Sequence, residues 1–151
     1  MCRVGFLVNP IAGMGGRVGL KGTDGKVSEA RERGAEPRAP DRARRALDTL
    51  ASHNDVSVVT VAGIMGATVA REAGFDPILV AEPAAGPAAT VGETTAADTR
   101  RTVAALVAAD IDIVVFVGGD GTAVDVAETL DGLGSEIPML GVPAGVKVYS
   151  G

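Results

Sequence analysis

Residues 111–122 read IDIVVFVGGDGT, an apolar run that ends in a glycine-rich turn. The β-branched and aromatic residues from Ile111 to Val117 are typical of a central parallel strand that is buried on both faces. The five residues from Gly118 to Thr122 then lead into a helix, and their glycines expose backbone N–H groups that can meet a phosphate. This run predicts an α/β fold with its chemistry at the carboxyl end of the strand.

The last three residues of this turn carry the functional prediction. Asp120 is the only ionisable side chain between Gly118 and Thr122, so it is either a functional carboxylate or a solvated turn residue. Gly121 tolerates positive φ. Thr122 and Asp125 have the spacing of an N-cap and its capping-box partner, so the Thr122 hydroxyl either caps the helix or contacts a phosphate.

Apolar patterning extends the alternation of strands and helices to both sides of this run. Strands are predicted over 3–8, 55–61, 77–81, 111–117 and 138–142. Helices are predicted from an N-cap at Asp41 to about His53, over Ala67–Ala73, from the capping box Thr95–Asp98 to about Ala109 with Thr99, Val103, Leu106 and Val107 inward, and from Thr122 to about Leu133. The chain is therefore expected to form one α/β domain over residues 1–151. Its core is a doubly wound, open parallel sheet of about five strands with helices on both faces.

Composition narrows the classes of partner. Ten of the 14 Lys and Arg but only five of the 19 Asp and Glu lie in residues 1–45, so the N-terminal third is net basic within a chain of net charge −5. This split favours an anion near the N-terminal loops, and with only four aromatic residues the chain is not expected to bind nucleic acid. The longest apolar runs are too short to span a membrane. The single cysteine, Cys2, fits a reducing cytoplasm, where we expect the protein to reside.

The first strand is followed by Asn9-Pro10 and then by six glycines up to Gly25, which predicts a loop built for backbone approach. A dinucleotide-binding dehydrogenase is disfavoured because the glycine spacing differs and the second strand ends without an acidic residue for a ribose. Lys21 in this loop and Lys147 near the end of the chain are each either a cation for a phosphate or an exposed lysine.

Four segments together resemble one enzyme family. They are the pentapeptide Gly118–Thr122, the segment NPIAGMGGRVGLKGTDG over residues 9–25, TTAADT over residues 94–99, and GVPAGVK over residues 141–147. They are similar to the ATP-NAD kinase-like family, within the superfamily that contains NAD kinases and diacylglycerol kinases. The resemblance spans nearly the whole chain.

This resemblance implies a phosphotransferase that converts NAD to NADP by phosphorylating its 2′-hydroxyl. The implied donor is ATP or polyphosphate with Mg²⁺, so NAD and ATP are the expected ligands, and whether the chain forms a homo-oligomer stays open. Asp120 is implied as the catalytic residue that orients the hydroxyl, and no residue is assigned as a metal ligand. The implied nucleotide-binding residues are Asn9, Gly13, Gly15, Gly16, Lys21, Gly118, Gly119, Gly121, Thr122 and Lys147.

Two alternative functions remain open. One is a kinase of the same superfamily that acts on the hydroxyl of a lipid or a small metabolite, and the other is a non-catalytic nucleotide-binding module. Typical NAD kinases carry an Asn-Glu or Asn-Asp pair and a β-rich second domain downstream of the matching segments. We therefore expect residues 1–151 to be the N-terminal part of a longer enzyme.

Overall fold

The computed structural model describes residues 2–10 and 39–144 of the chain. Over these ranges strands and helices alternate along the sequence, with one short 3₁₀ turn at Gly63–Met65. In chain order the elements are β1 Cys2–Val8, α1 Ala39–Ala51, β2 Val56–Val61, α2 Ala67–Glu72, β3 Ile78–Ala81, α3 Ala96–Ala108, β4 Ile113–Gly118, α4 Asp120–Gly132 and β5 Met139–Pro143. Each predicted strand is present, with ends that differ by no more than two residues.

The five strands form one sheet in the order β3-β2-β1-β4-β5, and all four pairings are parallel. The chain runs outward from β1 through β2 to β3, crosses back to β4 beside β1, and then continues to β5 in the opposite direction. The order of the strands therefore reverses between β1 and β4. In open α/β sheets such a switch point leaves a crevice at the carboxyl ends of the strands, where ligands bind.

Helices cover both faces of the sheet, as the sequence predicts for a doubly wound fold. Phe6 and Leu7 are adjacent on β1, point to opposite faces and are both fully buried, which shows that the central strand is covered on each side. One core lies under α1 and α2 and includes Val4, Phe6, Leu47, Val69, Val115 and Val117. The other lies under α3 and α4 and includes Leu7, Val103, Leu106, Val114, Phe116, Val126 and Leu130.

The starts of the helices follow the sequence less closely than the strands do. The capping box at α3 is confirmed, because Thr95 Oγ1 accepts from the Asp98 backbone N–H and the Asp98 carboxylate accepts from the Thr95 backbone N–H. The N-cap prediction at Asp41 is wrong, since α1 already includes Ala39 and Pro40 and Asp41 lies in its first turn. Proline suits a first helical turn because the N–H that it lacks would have no partner there.

Candidate functional site

The carboxyl ends of β1, β4 and β5 meet at one edge of the sheet. The Asn9 backbone N–H, directly after β1, donates to the Val117 carbonyl at 2.9 Å. The Ala144 backbone N–H, directly after β5, donates to the Gly118 carbonyl at 3.3 Å. Asn9, the glycine-rich turn and the end of β5 therefore lie together at the switch point of the sheet.

Thr122 and Asn9 join across this switch point. The side-chain amide of Asn9 donates to Thr122 Oγ1 at 3.1 Å, and Thr122 is only 5% exposed. The prediction that Thr122 caps α4 is wrong, because the helix begins at Asp120 and Gly119 occupies the N-cap position without a side-chain cap. The hydroxyl instead accepts from Asn9 within the first turns of the helix.

The three glycines of the turn have different surroundings. A Cβ at Gly118 would lie 2.5 Å from Thr122 Oγ1, so glycine is needed there for Thr122 to pack against the end of β4. Gly119 has an extended φ of −103°, and Gly121 lies inside α4 and is not among the glycines with positive φ. Gly121 therefore does not use its freedom to adopt positive φ. Apart from chain neighbours and the backbone of α4 itself, no described atom lies within 4 Å of a Cβ built at Gly119 or Gly121.

The open side-chain position at Gly121 has no structural cause among the described residues. Gly121 inside a helix costs up to about 1 kcal/mol relative to alanine. Neither packing nor backbone conformation in residues 2–10 and 39–144 requires glycine at that position. The missing side chain leaves room for an external group to reach the backbone N–H groups at the start of α4.

Asp120 is the first residue of α4 and is half-buried. The start of a helix carries a partial positive charge that interacts favourably with anions. Asp120 thus stands at the switch point, between the two glycines around which the space is open.

The loop between β3 and α3 forms another part of the carboxyl edge. A Cβ at Gly63, just after β2, would lie 2.5 Å from the Pro87 carbonyl oxygen, so this loop packs closely over the end of β2. The Asp98 carboxylate, 2% exposed, accepts from the backbone N–H of Ala84 at 2.9 Å and of Thr95 at 3.0 Å. Arg101 also donates to this carboxylate. Asp98 therefore ties the loop to the first turn of α3.

The same loop contains a second carboxylate in a hydrogen-bonded turn. The hydroxyl and the backbone N–H of Thr90 donate to Glu93 Oε1 at 2.6 and 2.8 Å. These bonds, the hydroxyl first, lower the pKa of the exposed Glu93 carboxyl below its ordinary value. The loop thus keeps a defined local structure on its solvent side as well.

Helices α3 and α4 are linked by an ion pair near the start of each. Arg100 Nη2 donates to Asp125 Oδ1 at 2.8 Å. Sequence reasoning missed the structural roles of Arg100, Asp125 and the Asp98 contact to Ala84. The signal for Asp98 was its capping box, but the partners of Arg100 and Asp98 on other segments depend on the packing of the domain.

The remaining predicted site residues cannot be placed in this geometry. Gly13, Gly15, Gly16, Lys21 and Lys147 lie outside the described residues, as does the end of the 141–147 segment. Their roles stay predictions. Asn9, Gly118, Gly119, Asp120, Gly121 and Thr122 are the predicted site residues that the structure brings together.

The residues at this edge are compatible with one mode of magnesium binding. Within residues 2–10 and 39–144, no three His, Cys, Asp or Glu side chains are grouped so that they could hold a metal ion. Mg²⁺ is commonly bound through one or two carboxylates together with substrate phosphates, and Asp120 offers such a carboxylate beside the open backbone.

Within residues 2–10 and 39–144, no helix is both long enough and apolar enough to cross a membrane.

The strand order is that of an open, doubly wound α/β domain. Domains of this class bind ligands at the switch point, where this chain has its glycine-rich turn. A comparison with protein families then identifies the particular group. The family model described as ATP-NAD kinase N-terminal domain matches residues 4–151, and the chain belongs to this family. Membership makes it a kinase-type, nucleotide-binding domain of a family that uses ATP and a divalent metal. No curated protein and no solved structure matches the chain.

Proposed function

We propose that this domain belongs to an enzyme that transfers a phosphoryl group from ATP to the 2′-hydroxyl of NAD, giving NADP. The observation that carries the proposal is the half-buried Asp120 carboxylate at the start of α4, flanked by two glycines whose side-chain positions are open. Family membership supports the kinase chemistry. The choice of NAD as acceptor rests on the sequence resemblance.

Phosphoryl transfer depends mainly on positioning and on electrostatic stabilisation, so few side chains need to react. The open backbone at Gly119 and Gly121 lets phosphate oxygens approach the N–H groups and the positive end of α4. Asp120 would orient the acceptor hydroxyl and accept its proton late in the transfer, or hold Mg²⁺ beside the phosphates. When bound, Mg²⁺ would spread the negative charge of the phosphates.

The other proposed nucleotide contacts come from the basic N-terminal third of the chain and from the segment that follows β5. Gly13, Gly15, Gly16 and Lys21 follow the end of β1, and Lys147 follows the end of β5. Both strands end at the edge that carries Asp120, so these residues would approach the ligand from neighbouring strands. We further propose that the domain forms the N-terminal part of a longer cytoplasmic enzyme.

The test is direct measurement of NADP formation by the natural full-length protein, with ATP or polyphosphate as the donor and Mg²⁺ present. The matched control substrate is NAD that lacks the 2′-hydroxyl. We expect phosphate on NAD and none on the deoxy analogue. Transfer to other hydroxyl compounds with no NADP formed would overturn the choice of NAD, and no transfer to any acceptor by a folded protein would overturn the kinase assignment.

A further inference from the structure

The first turn of α3 connects two parts of the carboxyl edge. On one side, the buried Asp98 carboxylate holds the loop between β3 and α3 through the Ala84 and Thr95 backbone N–H groups. On the other side, two residues further along, Arg100 reaches across to Asp125 of α4. A single helical turn therefore contacts both the loop over β2 and the helix that begins at Asp120.

The hydrogen bond from Arg100 reaches the same face of α4 as Gly121. Asp125 lies four residues after Gly121, and residues at this spacing stack on one face of a helix. Asp125 is 17% exposed at the contact between the two helices, whereas Arg100 is 54% exposed. The guanidinium thus contacts α4 one turn after Gly121 and five residues after Asp120.

Gly119 supplies no side-chain cap to α4, and two side chains on other described elements contact its first two turns. The Asn9 amide holds the first turns through Thr122 on the sheet side, and Arg100 holds them through Asp125 on the α3 side. Removing the Arg100 contact leaves the helix formed but less closely fixed beside α3. A displacement of about 1 Å at reacting groups can cost about 10²-fold in rate.

We propose that Arg100 and Asp125 are positioning residues that set the first turn of α4, and with it the Asp120 carboxylate, relative to the loop between β3 and α3. This inference rests on the proposed function for its kinetic consequence. A half-exposed ion pair contributes little to global stability. Its loss should therefore reduce turnover without a matching loss of folding stability.

The experiment compares Arg100→Gln, Asp125→Asn, the double variant and the charge swap Arg100→Asp/Asp125→Arg in the full-length protein. Each single change should lower kcat for NADP formation about 3- to 30-fold, with KM for both nucleotides unchanged within about twofold. The double variant should be no worse than the poorer single one, and the swap should restore much of kcat. Arg44→Gln is the matched control, because Arg44 and Asp48 form an exposed ion pair within α1.

Amide hydrogen exchange gives a readout that does not depend on the reaction. The Ala123 N–H donates to the Gly119 carbonyl at 3.1 Å, which closes the first turn of α4. Exchange at Ala123 should be faster in both single variants and should return towards the wild-type rate in the swap, while Arg44→Gln leaves it unchanged. A wild-type protein that forms no NADP would contradict the proposed function, and exchange at Ala123 would still test the positioning role.

Three results would overturn the inference. A higher KM in Arg100→Gln with normal kinetics in Asp125→Asn would mean that Arg100 contacts the nucleotide itself. Additive effects in the double variant would mean that the two residues act separately. A fall in melting temperature that accounts for the whole loss of activity would mean that the pair only stabilises the fold.

Discussion

The side-chain amide of Asn9 donates a hydrogen bond to the Thr122 hydroxyl at 3.1 Å, joining residues 113 positions apart across the switch point of the sheet. One residue follows the end of β1, and the other lies in the first turns of α4. The bond therefore fixes the start of the helix directly to the central strand. Because Thr122 is almost fully buried, its end of the contact is shielded from water.

Replacing Thr122 with valine should lower the free energy of unfolding by about 1–2 kcal/mol, because it removes this hydroxyl while keeping a similar volume. Urea unfolding of the variant beside wild type measures the difference. Thr129→Val is a suitable comparison, since the Thr129 hydroxyl donates only to the Asp125 carbonyl within the same helix. Equal stability of Thr122→Val and wild type would show that the Asn9 bond has no net structural value.

Alanine at Gly118 and alanine at Gly121 should have opposite effects on stability. At Gly118 the added methyl would meet the Thr122 side chain at 2.5–2.9 Å, and we expect a loss of about 1–3 kcal/mol from overpacking. At Gly121 no described atom beyond its own helix lies within 4 Å of the added methyl and the residue is helical, so alanine should stabilise α4 by about 0.5–1 kcal/mol. Thermal unfolding of both variants checks the two signs.

The same Gly121→Ala variant also tests the open space above the turn. If a nucleotide phosphate approaches the backbone there, the methyl should weaken ATP binding about tenfold even though the protein becomes more stable. Calorimetric titration with ATP and Mg²⁺ measures the affinity. Unchanged affinity in a stabilised variant would argue that the ligand does not approach the helix at this residue.

Asp98→Ala should destabilise the domain by about 2–4 kcal/mol. The carboxylate is almost fully buried and accepts from two backbone N–H groups and Arg101, so its removal leaves buried donors without their acceptor. The loop between β3 and α3 should also become more sensitive to limited proteolysis. Asp48→Ala, an exposed partner of Arg44, is the control, and equal losses in the two variants would contradict the role of Asp98.

The strands could be predicted from the sequence because their signal is local. The run from Ile111 to Val117 is continuously apolar and ends at glycines, and β4 is found at Ile113–Gly118. The capping box at Thr95 and Asp98 also lies within four consecutive residues and was confirmed. Local patterns were sufficient for these elements, and the fold class followed from their alternation.

The details of the site depend on contacts between distant residues, and there local patterns were misleading. The spacing of Thr122 and Asp125 matches a capping box, but the Thr122 hydroxyl bonds to Asn9 and Asp125 bonds to Arg100. Each partner lies on another element and becomes a neighbour only when the sheet and helices assemble. Gly121 tolerates positive φ, but its place inside α4 does not use that freedom, and its predicted role in nucleotide binding stays a prediction.

Asp120→Asn should separate binding from catalysis at the proposed site. The amide keeps the shape of the carboxylate and can still form hydrogen bonds, but it cannot accept a proton and carries no negative charge for Mg²⁺. Loss of a positioned base or metal-holding carboxylate typically lowers the rate about 10²–10⁴-fold, which corresponds to roughly 3–5 kcal/mol in the barrier. We expect kcat for NADP formation in the full-length enzyme to fall by this factor, while ATP affinity changes much less.

The matched control is Asp131→Asn, which makes the same chemical change at an exposed position in the last turn of the same helix. It should leave turnover unchanged, and both variants should melt within a few degrees of wild type because Asp120 is only half-buried. Measuring NADP formation, ATP affinity and melting temperature together separates chemistry from folding. Normal turnover in Asp120→Asn would show that the carboxylate is only a turn residue. The proposed mechanism would then be wrong even though the fold and the family assignment stand.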